Sequence, residues 1–385
     1  MINGREDWEE ELKNNMFDGP KIWFHCASLG EFEQGRPLIE LIKKTYPDYG
    51  IFITFFSPSG YVIRKNYEEA NFISYLPFDS KNNAAKFIGL LNPSLAIFIK
   101  YEFWYYYLSE LKNRGIPTFS VSAIFRQEQQ FFKKNGQFFR KMLECFDQFF
   151  VQNETSKYLL NEQGFNNVTI SGDTRFDRVK EICSNPTKNE IARKFKGHEK
   201  IMIIGSSWPE DINVLLPVIN SSEYKMKFII APHEIEKSKI KKLCSEITTD
   251  FQLYSQANNA TIHQSRVLII DNIGILSSLF QYGDIAYIGG SFGDGLHNIL
   301  EAATFGMPVI FGRGQDNHKY QEAVDLVELG GAFEVSDSNE LKKVLNTLFD
   351  NASNLDKASK ISSDYINKNA GATGRIMDYL TNHLN

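Results

Sequence analysis

Residues 21–56 read KIWFHCASLGEFEQGRPLIELIKKTYPDYGIFITFF, and this stretch decides the fold class. The apolar run 21–27 ends in a turn of small residues, which is typical of a strand that leads into a loop. A helix is predicted to begin at Pro37, because apolar residues recur from there at intervals of three and four. Another apolar strand is predicted at 51–55. Strand, helix and strand in this order predict a parallel β-sheet of an α/β protein.

The same alternation continues along the rest of the chain. Further strands are predicted at residues 72–76, 95–99, 118–121, 148–151, 201–204, 228–230, 267–270, 285–288 and 309–311. A polar segment at 183–189 interrupts the pattern, and we interpret it as a linker. The sequence therefore predicts two α/β domains, residues 1–184 and 185–385, with a ligand cleft between them.

The composition excludes several classes of protein. The chain has 385 residues, 42% hydrophobic and 23% charged, which is enough for a large packed core and atypical of disorder. A formal net charge of −5 argues against a general nucleic-acid binder. The 4 cysteines and 7 histidines lack the spacing of metal ligands, so no metal site is predicted. No apolar stretch reaches the ~18 residues of a membrane span and no signal peptide is recognised, which predicts a cytoplasmic protein that can still attach to a membrane surface.

The first candidate for chemistry follows the first strand, in residues 28–31 (SLGE). Ligands of open parallel sheets bind beyond the carboxyl ends of the strands, where this segment is predicted to lie. The carboxylate of Glu31 can accept a proton there from an attacking hydroxyl group, as a general base. The alternative is an ordinary acidic residue in a first helical turn, which the helix dipole favours. The residues alone leave both interpretations open.

The segment richest in glycine and polar residues is 285–303, which reads IAYIGGSFGDGLHNILEAA. A predicted strand enters a glycine-rich loop and a helix follows, so free backbone N–H groups can bind a phosphate. We expect Glu301, one turn into that helix, to accept hydrogen bonds from a ribose or sugar. The alternative is a turn that only joins a strand to a helix. The candidate ligands here are Gly290, Ser291, His297, Asn298 and Glu301.

Two further strand ends carry polar groups in the second half of the chain. Gly205, Ser206 and Ser207 follow one strand, and the hydroxyl groups of the two serines can donate to a phosphate or cap the next helix. Pro232 and His233 close the next strand, where the imidazole can meet a base or phosphate or serve the structure alone.

Basic residues are the candidates in the first half of the chain. Arg126 and Arg175 can bind anionic groups through the planar fork of guanidinium donors, or pair with Glu102 or Asp177. Residues 125–150 interleave phenylalanines with lysines and arginines. Helical spacing predicts that most of these phenylalanines are core, but the mixture also suits an anionic lipid or a membrane surface.

In their order along the chain these segments resemble the Kdo transferases, which add 3-deoxy-D-manno-octulosonic acid (Kdo) to a lipid A precursor in Gram-negative bacteria. The resemblance spans nearly the whole sequence. The matching positions are Gly4, Arg5 and Trp8, and residues 28–31, 75–79, 102–104, 172–177, 205–207, 231–233, 289–291 and 297–301.

The resemblance implies a GT-B fold, in which two Rossmann-like domains face each other across a cleft. It implies transfer of Kdo from CMP-Kdo to a tetra-acylated lipid A precursor (lipid IVA), with inversion and without a metal ion or cofactor. By the motif match Glu31 is the catalytic base, and Glu102, Arg126 and Arg175 contact the acceptor or stabilise charge. The nucleotide is expected on the C-terminal domain and the lipid on the N-terminal domain.

The chain departs from the family pattern in places. The family usually shows Pro-Arg-His where this chain has Pro232, His233 and Glu234. It usually shows Lys at the position of Arg175. Its usual Asn-Ala-Arg segment appears here as residues 121–126, which read VSAIFR. The family also carries a membrane-anchoring segment upstream of the Gly4-Arg5 motif. We therefore expect the protein at the cytoplasmic face of the inner membrane, bound peripherally or through an anchor absent from this sequence.

Three alternatives to Kdo transfer stay open at this point. Another GT-B transferase would use a UDP-sugar, and UDP rather than CMP would then inhibit it. A sugar-nucleotide epimerase would turn over its nucleotide without any lipid. An inactive nucleotide-binding or membrane-scaffold protein would bind both ligands without transfer. The fold alone does not choose among them, because one fold hosts many reactions.

Overall fold

The computed structural model describes Arg5 and residues 7–384, so Gly4 of the first motif lies outside the described residues. The chain divides into two compact units, Met1–Arg178 with Asn369–Asn385 and Val179–Lys368. This division differs from the expected boundary at 184/185, and the end of the chain returns to the first unit. The reason is that Ile376 and Leu380 join the same hydrophobic cluster as Ile22.

The first unit is built on a seven-stranded parallel sheet. Its strands are β1 (Lys21–Cys26), β2 (Gly50–Phe55), β3 (Phe72–Tyr75), β4 (Leu95–Ile99), β5 (Thr118–Ala123), β6 (Gln148–Val151) and β7 (Val168–Ile170). Their order in the sheet is β3-β2-β1-β4-β5-β6-β7. The helices are α1 (Trp8–Asn14), α2 (Leu29–Thr45), α3 (Pro58–Arg64), α4 (Lys81–Leu91), α5 (Tyr105–Asn113), α6 (Gln137–Leu143), α7 (Glu154–Asn161) and the final α17 (Ala372–Leu384), and α8 (Arg175–Ser184) begins in this unit.

The second unit repeats this architecture. Its strands are β8 (Lys200–Ser207), β9 (Met226–Pro232), β10 (Phe251–Leu253), β11 (Val267–Ile269), β12 (Ile285–Ile288), β13 (Val309–Gly312) and β14 (Ala332–Val335). Their order is β10-β11-β9-β8-β12-β13-β14. The helices are α9 (Glu190–Lys196), α10 (Pro209–Ile219), α11 (Lys237–Glu246), α12 (Leu276–Leu279), α13 (Leu300–Thr304), α14 (Gln321–Leu329), α15 (Ser338–Asp350) and α16 (Ala352–Asn369).

Both faces of the first sheet are covered, which explains why its strands read as continuous apolar runs. Alternate residues of β1 point to opposite faces. Trp23 therefore packs in one hydrophobic cluster, while Ile22 and Phe24 pack in the other. In the second sheet β8 is likewise buried from Ile201 to Gly205.

The order of strands reverses beside the first strand of each sheet. β1 lies between β2 and β4, and β8 lies between β9 and β12. Ligands of open parallel sheets bind at such switch points, beyond the carboxyl ends of the strands. Glu31 follows β1, Ser207 ends β8, and the glycine-rich loop follows β12. The fold therefore places the strongest candidates where a ligand is expected.

Helix α2 begins at Leu29, so the predicted start at Pro37 was wrong. The apolar spacing fails between these positions because Gln34 and Gly35 are buried in place of larger apolar residues. Gln34 donates a hydrogen bond to Asp173, and Gly35 lies close against a side chain of β4. No helix in the described part of the chain is long and apolar enough to cross a membrane.

Candidate active site

In the first unit, the carboxylate of Glu31 lies in the first turn of α2, three residues after the N-cap Ser28. The Ser28 hydroxyl donates a hydrogen bond to Glu31 Oε2. The Lys100 ammonium lies 3.9 Å from Oε1, and 12% of the Glu31 side chain stays exposed. The carboxylate is thus oriented by two neighbouring groups and remains accessible to a ligand.

The segment after β4 adds further charged groups. Lys100 has φ 72°, a left-handed conformation that costs a residue with a side chain roughly 1–3 kcal/mol and is typical of functional sites. Burial raises the pKa of Tyr101, and the negative charges of Glu31 and Glu102 add to that effect. The Arg126 guanidinium acts on Tyr101 in the opposite direction. Glu31, Glu102 and Arg126 therefore lie within electrostatic reach of one tyrosine.

Arg175 takes a carboxylate partner from its own segment. Its Nε donates to Asp173 Oδ2 at 2.8 Å, and its backbone N–H donates to Asp173 Oδ1 at 2.9 Å. The considered partner Asp177 instead accepts from the backbone N–H of Thr373 at 2.7 Å. Arg175 thus forms an ion pair with Asp173. The carboxylate of Asp177 binds the start of α17.

In the second unit, the buried carboxylate of Asp211 joins β8 to the glycine-rich loop. It accepts hydrogen bonds from the backbone N–H groups of Gly290 at 3.0 Å and Trp208 at 2.9 Å, and from the Tyr287 hydroxyl at 2.9 Å. Burial raises the pKa of Asp211, and the three hydrogen bonds oppose that shift. Sequence reasoning missed this residue, although an acid three residues after an N-cap is a capping signal.

Two glycines of the loop are required by close contacts. A Cβ on Gly289 would lie 2.5 Å from Asp211 Oδ2. Gly290 has φ +100°, and a Cβ there would lie 2.3 Å from the carbonyl oxygen of Gly295. A side chain at position 289 would therefore force the loop away from Asp211, and one at position 290 would distort the loop itself.

Three aromatic rings stack beside this loop. The rings of Trp208 and His233 lie 4.4 Å apart at 19°, and those of His233 and His297 lie 4.7 Å apart at 29°. Trp208 Nε1 donates to His297 Nε2 at 3.2 Å, so that nitrogen is unprotonated. Burial lowers the pKa of His297, and a charge on His233 lowers it further. The structure brings the two predicted histidines together and adds Trp208, which the sequence did not single out.

The hydroxyl groups of Ser207 and Ser291 are buried and, within the part of the chain that the structure describes, have no hydrogen-bond partner. Buried polar groups are normally paired, so each unpaired hydroxyl calls for an explanation. Ser207 ends β8 rather than lying in a loop, and the preceding Ser206 has φ 52°. A cavity of about 290 Å³ lies beside Ser207 and Pro232. Ser207 lines this cavity and Ser291 does not, so a ligand in the cavity that accepts hydrogen bonds would pair with Ser207.

The sequence predicted Glu301 one turn into the helix, but this residue lies in the first turn of α13. The helix begins only at Leu300, whose backbone N–H is bound by the Asn298 side chain at 3.1 Å. Glu301 accepts from Ser277 at 2.5 Å and from Asn298 at 3.3 Å. The carboxylate is thus held by two side chains near the end of the glycine-rich loop.

Most phenylalanines of segment 125–150 belong to the core, as their spacing predicts. Phe125, Phe131, Phe146 and Phe149 are buried. Phe138 is the exception, with 53% of its surface exposed. Its ring lies 5.2 Å from that of Tyr105. The aromatic surface available to a lipid is therefore smaller than the sequence pattern indicates.

The chain is similar to known proteins in sequence and in fold. The family described as 3-Deoxy-D-manno-octulosonic-acid transferase (kdotransferase) matches residues 6–178. A 3-deoxy-D-manno-octulosonic acid transferase of Chlamydophila psittaci is 28% identical over 303 residues, 76% of this chain and 70% of that protein. The protein of the same name from Rickettsia bellii is 26% identical over 369 residues, 94% of this chain and 87% of the relative.

Solved structures confirm the fold. A UDP-GlcNAc 2-epimerase from Neisseria meningitidis superimposes with a TM-score of 0.66 at 16% identity, covering 94% of this chain and 100% of that one. MurG from Acinetobacter baumannii superimposes with a TM-score of 0.59 at 13% identity, covering 95% and 100%. These likenesses support the predicted two-domain α/β GT-B fold. Residues 6–178 carry the domain of the Kdo transferase family, and the chain is similar over most of its length to 3-deoxy-D-manno-octulosonic acid (Kdo) transferases.

Proposed function

We propose that this protein transfers Kdo from CMP-Kdo to a tetra-acylated lipid A precursor, lipid IVA, in lipopolysaccharide biosynthesis. Similarity to Kdo transferases supports Kdo transfer, and the accessible, oriented carboxylate of Glu31 at the switch point of the first sheet carries the mechanistic proposal. The reaction is a single displacement with inversion at the anomeric carbon, and it needs no metal ion.

Glu31 acts as the general base in this proposal. It removes the proton from the attacking sugar hydroxyl while that oxygen forms a bond to the anomeric carbon of Kdo. The bond between the anomeric carbon and the phosphate oxygen breaks, and its electron pair leaves with CMP. Inversion requires the base on the face opposite the leaving group, so a single carboxylate in the role of Glu31 is sufficient.

The second unit supplies the donor site in this proposal. The unpaired hydroxyl groups of Ser207 and Ser291 are donors suited to the phosphate or ribose of CMP. The backbone N–H groups of Gly290, Gly293, Gly295 and His297 already donate within the protein, so a phosphate would bind other donors of this loop. The stacked rings of Trp208, His233 and His297 form a flat surface beside that loop.

The first unit binds the acceptor in this proposal. Arg126 provides a planar cationic group for an anionic part of the lipid A precursor, and its charge acts on Tyr101. We define an aromatic patch as Tyr105, Tyr106 and Phe138, in which the Tyr105 ring contacts the other two. Lys133 and Lys134, which precede Phe138 in the sequence, are also exposed. Exposed aromatic and basic side chains suit the interface of an anionic membrane, here the cytoplasmic face of the inner membrane.

Nucleotide competition tests the donor class directly. CMP and UDP would each be titrated against a labelled CMP-Kdo donor, generated in place and with EDTA present. We expect CMP to compete and UDP to have little effect. Competition by UDP alone would favour a transferase for a UDP-sugar. Conversion of a sugar nucleotide in the absence of lipid would favour an epimerase.

A further inference from the structure

A buried chain of hydrogen bonds connects the first sheet to Glu102. His25 of β1 is fully buried, and its Nδ1 lies 2.8 Å from Thr54 Oγ1. Its Nε2 accepts a hydrogen bond from Trp104 Nε1 at 2.9 Å. The same indole N–H lies 3.1 Å from Glu102 Oε2. One indole proton is thus shared by a buried histidine and a carboxylate of the candidate site.

The contacts assign the proton positions in this chain. An indole nitrogen only donates, so His25 Nε2 must be unprotonated where it meets Trp104. The proton of the neutral imidazole is then on Nδ1, which donates to Thr54 Oγ1. That oxygen also accepts from Trp23 Nε1 at 2.9 Å, and its own proton points to the carbonyl oxygen of Phe24 at 3.5 Å. Each donor has an acceptor in this arrangement.

The orientation of Trp104 depends on His25. Their rings meet edge to face at 6.0 Å, and the other side of the indole packs on Phe56 at 4.7 Å. His25 Nε2 and Glu102 Oε2 are both acceptors and lie 3.7 Å apart. Without the indole proton between them they would face each other unpaired, which is costly for buried groups. The indole therefore holds the Glu102 carboxylate in place, and His25 holds the indole.

We propose that His25 and Trp104 are positioning residues that fix the Glu102 carboxylate for the transfer reaction, an inference that rests on the proposed function. His25 has no exposed surface, so it acts through Trp104 and not on a substrate. Glu102 keeps 15% of its side chain exposed and lies within electrostatic reach of the same tyrosine as Glu31. A change in its orientation would thus alter the charge around the reacting groups.

Two amide variants separate positioning from packing. His25→Gln can place an amide oxygen near the position of Nε2 and still accept from Trp104. His25→Asn reaches only the position of Nδ1, so it keeps the Thr54 contact and loses the indole contact. We expect the Gln variant to retain kcat within about 3-fold and the Asn variant to lose roughly 10–100-fold in kcat, with KM for CMP-Kdo unchanged. Equal losses in both variants that follow their melting temperatures would overturn the inference.

An NMR measurement tests the hydrogen bonds of Trp104 independently of catalysis. In protein labelled with ¹⁵N-tryptophan, the Trp104 indole signal is assigned by its absence from the Trp104→Phe variant. We expect this signal to shift in His25→Asn and to stay close to the wild-type position in His25→Gln. An unshifted signal in the Asn variant would overturn the inference. Trp104→Phe keeps an aromatic ring but removes the indole N–H donor, so it should lose as much kcat as His25→Asn.

The two measurements also separate this inference from the proposed function. A wild-type protein that transfers no Kdo overturns the proposed function, and with it the catalytic role of the network. The indole shifts would still show whether His25 orients Trp104. An active wild type with unshifted indole signals overturns the positioning inference alone.

Discussion

The hydroxyl of Ser28 donates a hydrogen bond to the carboxylate of Glu31 across the first turn of α2. A serine at an N-cap usually accepts a hydrogen bond from a backbone N–H, which stabilises a protein by about 1 kcal/mol. Among the described residues, no backbone N–H is bound by the Ser28 side chain. This position therefore orients a carboxylate where a purely structural serine would cap the helix.

Replacement of Ser28 tests that role. We expect Ser28→Ala to lower kcat by roughly 10–100-fold, because a hydrogen bond to a charged group is lost. Its stability should hardly change, since no cap is removed. Ser80→Ala is the control, because Ser80 caps α4 by accepting from Asn83 N at 3.2 Å. That variant should lose about 1 kcal/mol of unfolding free energy and keep its kcat. The reverse pattern would contradict the account.

The base role of Glu31 gives the largest expected effect on rate. Glu31→Gln keeps the size of the side chain and its hydrogen-bonding oxygen, but it cannot take up the proton. Transfer should fall by ~10²–10⁴-fold while the affinity for CMP stays unchanged. Glu33→Gln is a matched control on the same helix, where the carboxylate pairs with Arg64 at 2.6 Å. Near-normal turnover by Glu31→Gln would exclude this residue as the base.

Substitution of Ser207 and Ser291 tests whether their hydroxyl groups bind a ligand or stabilise the fold. Ser207→Ala and Ser291→Ala remove no hydrogen bond among the described residues, so the unfolding free energy should be unchanged. Each should weaken CMP binding by roughly 10–100-fold in calorimetry, because a bond to the charged nucleotide is lost. Ser156→Ala is the contrast, since its buried hydroxyl binds the backbone N–H of Phe125 at 2.8 Å. Unchanged CMP affinity in both variants would place the nucleotide elsewhere.

The pKa of His297 predicts a pH dependence of stability. Burial lowers this pKa below the usual 6.5, so the unfolded chain binds more protons than the folded chain between the two values. The contribution of neutral His297 to the free energy of unfolding is therefore present at neutral pH and is lost as the pH falls through that window. His297→Gln can still accept from Trp208 but does not titrate. Urea unfolding at about pH 7.5 and about pH 5 should show a larger loss for the wild type than for this variant. Equal losses would contradict the assignment.

Long-range contacts explain where sequence reasoning failed. The strands at 95–99, 148–151 and 285–288 have the predicted bounds, because buried parallel strands are continuous apolar runs. The short β7 and β10 are only partly buried and gave no such signal. Membership of α17 in the first unit depends on contacts of Ile376 with residues far away in sequence, which local periodicity does not record.

The same limit applies to the site. Glu31 and the glycine-rich loop could be predicted, because the ends of parallel strands meet at one edge of a sheet. Asp211 binds Gly290 across 79 positions, and Trp208 meets His297 across 89, so neither role is visible in the local sequence. The sequence offered Asp177 as the partner of Arg175. Asp177 instead binds residues 371–373 near the other end of the chain, a long-range contact that the local sequence does not show.

Kdo transfer itself is the most direct test of the account. The wild-type protein would be incubated with CMP-Kdo, generated in place, and tetra-acylated lipid A precursor in the presence of EDTA, and the lipid would be analysed by mass spectrometry. We predict a mass increase of one or more Kdo units, which should form ~10²–10⁴-fold more slowly with Glu31→Gln. An unchanged lipid mass, under conditions where a known Kdo transferase modifies the same lipid, would contradict the proposed function.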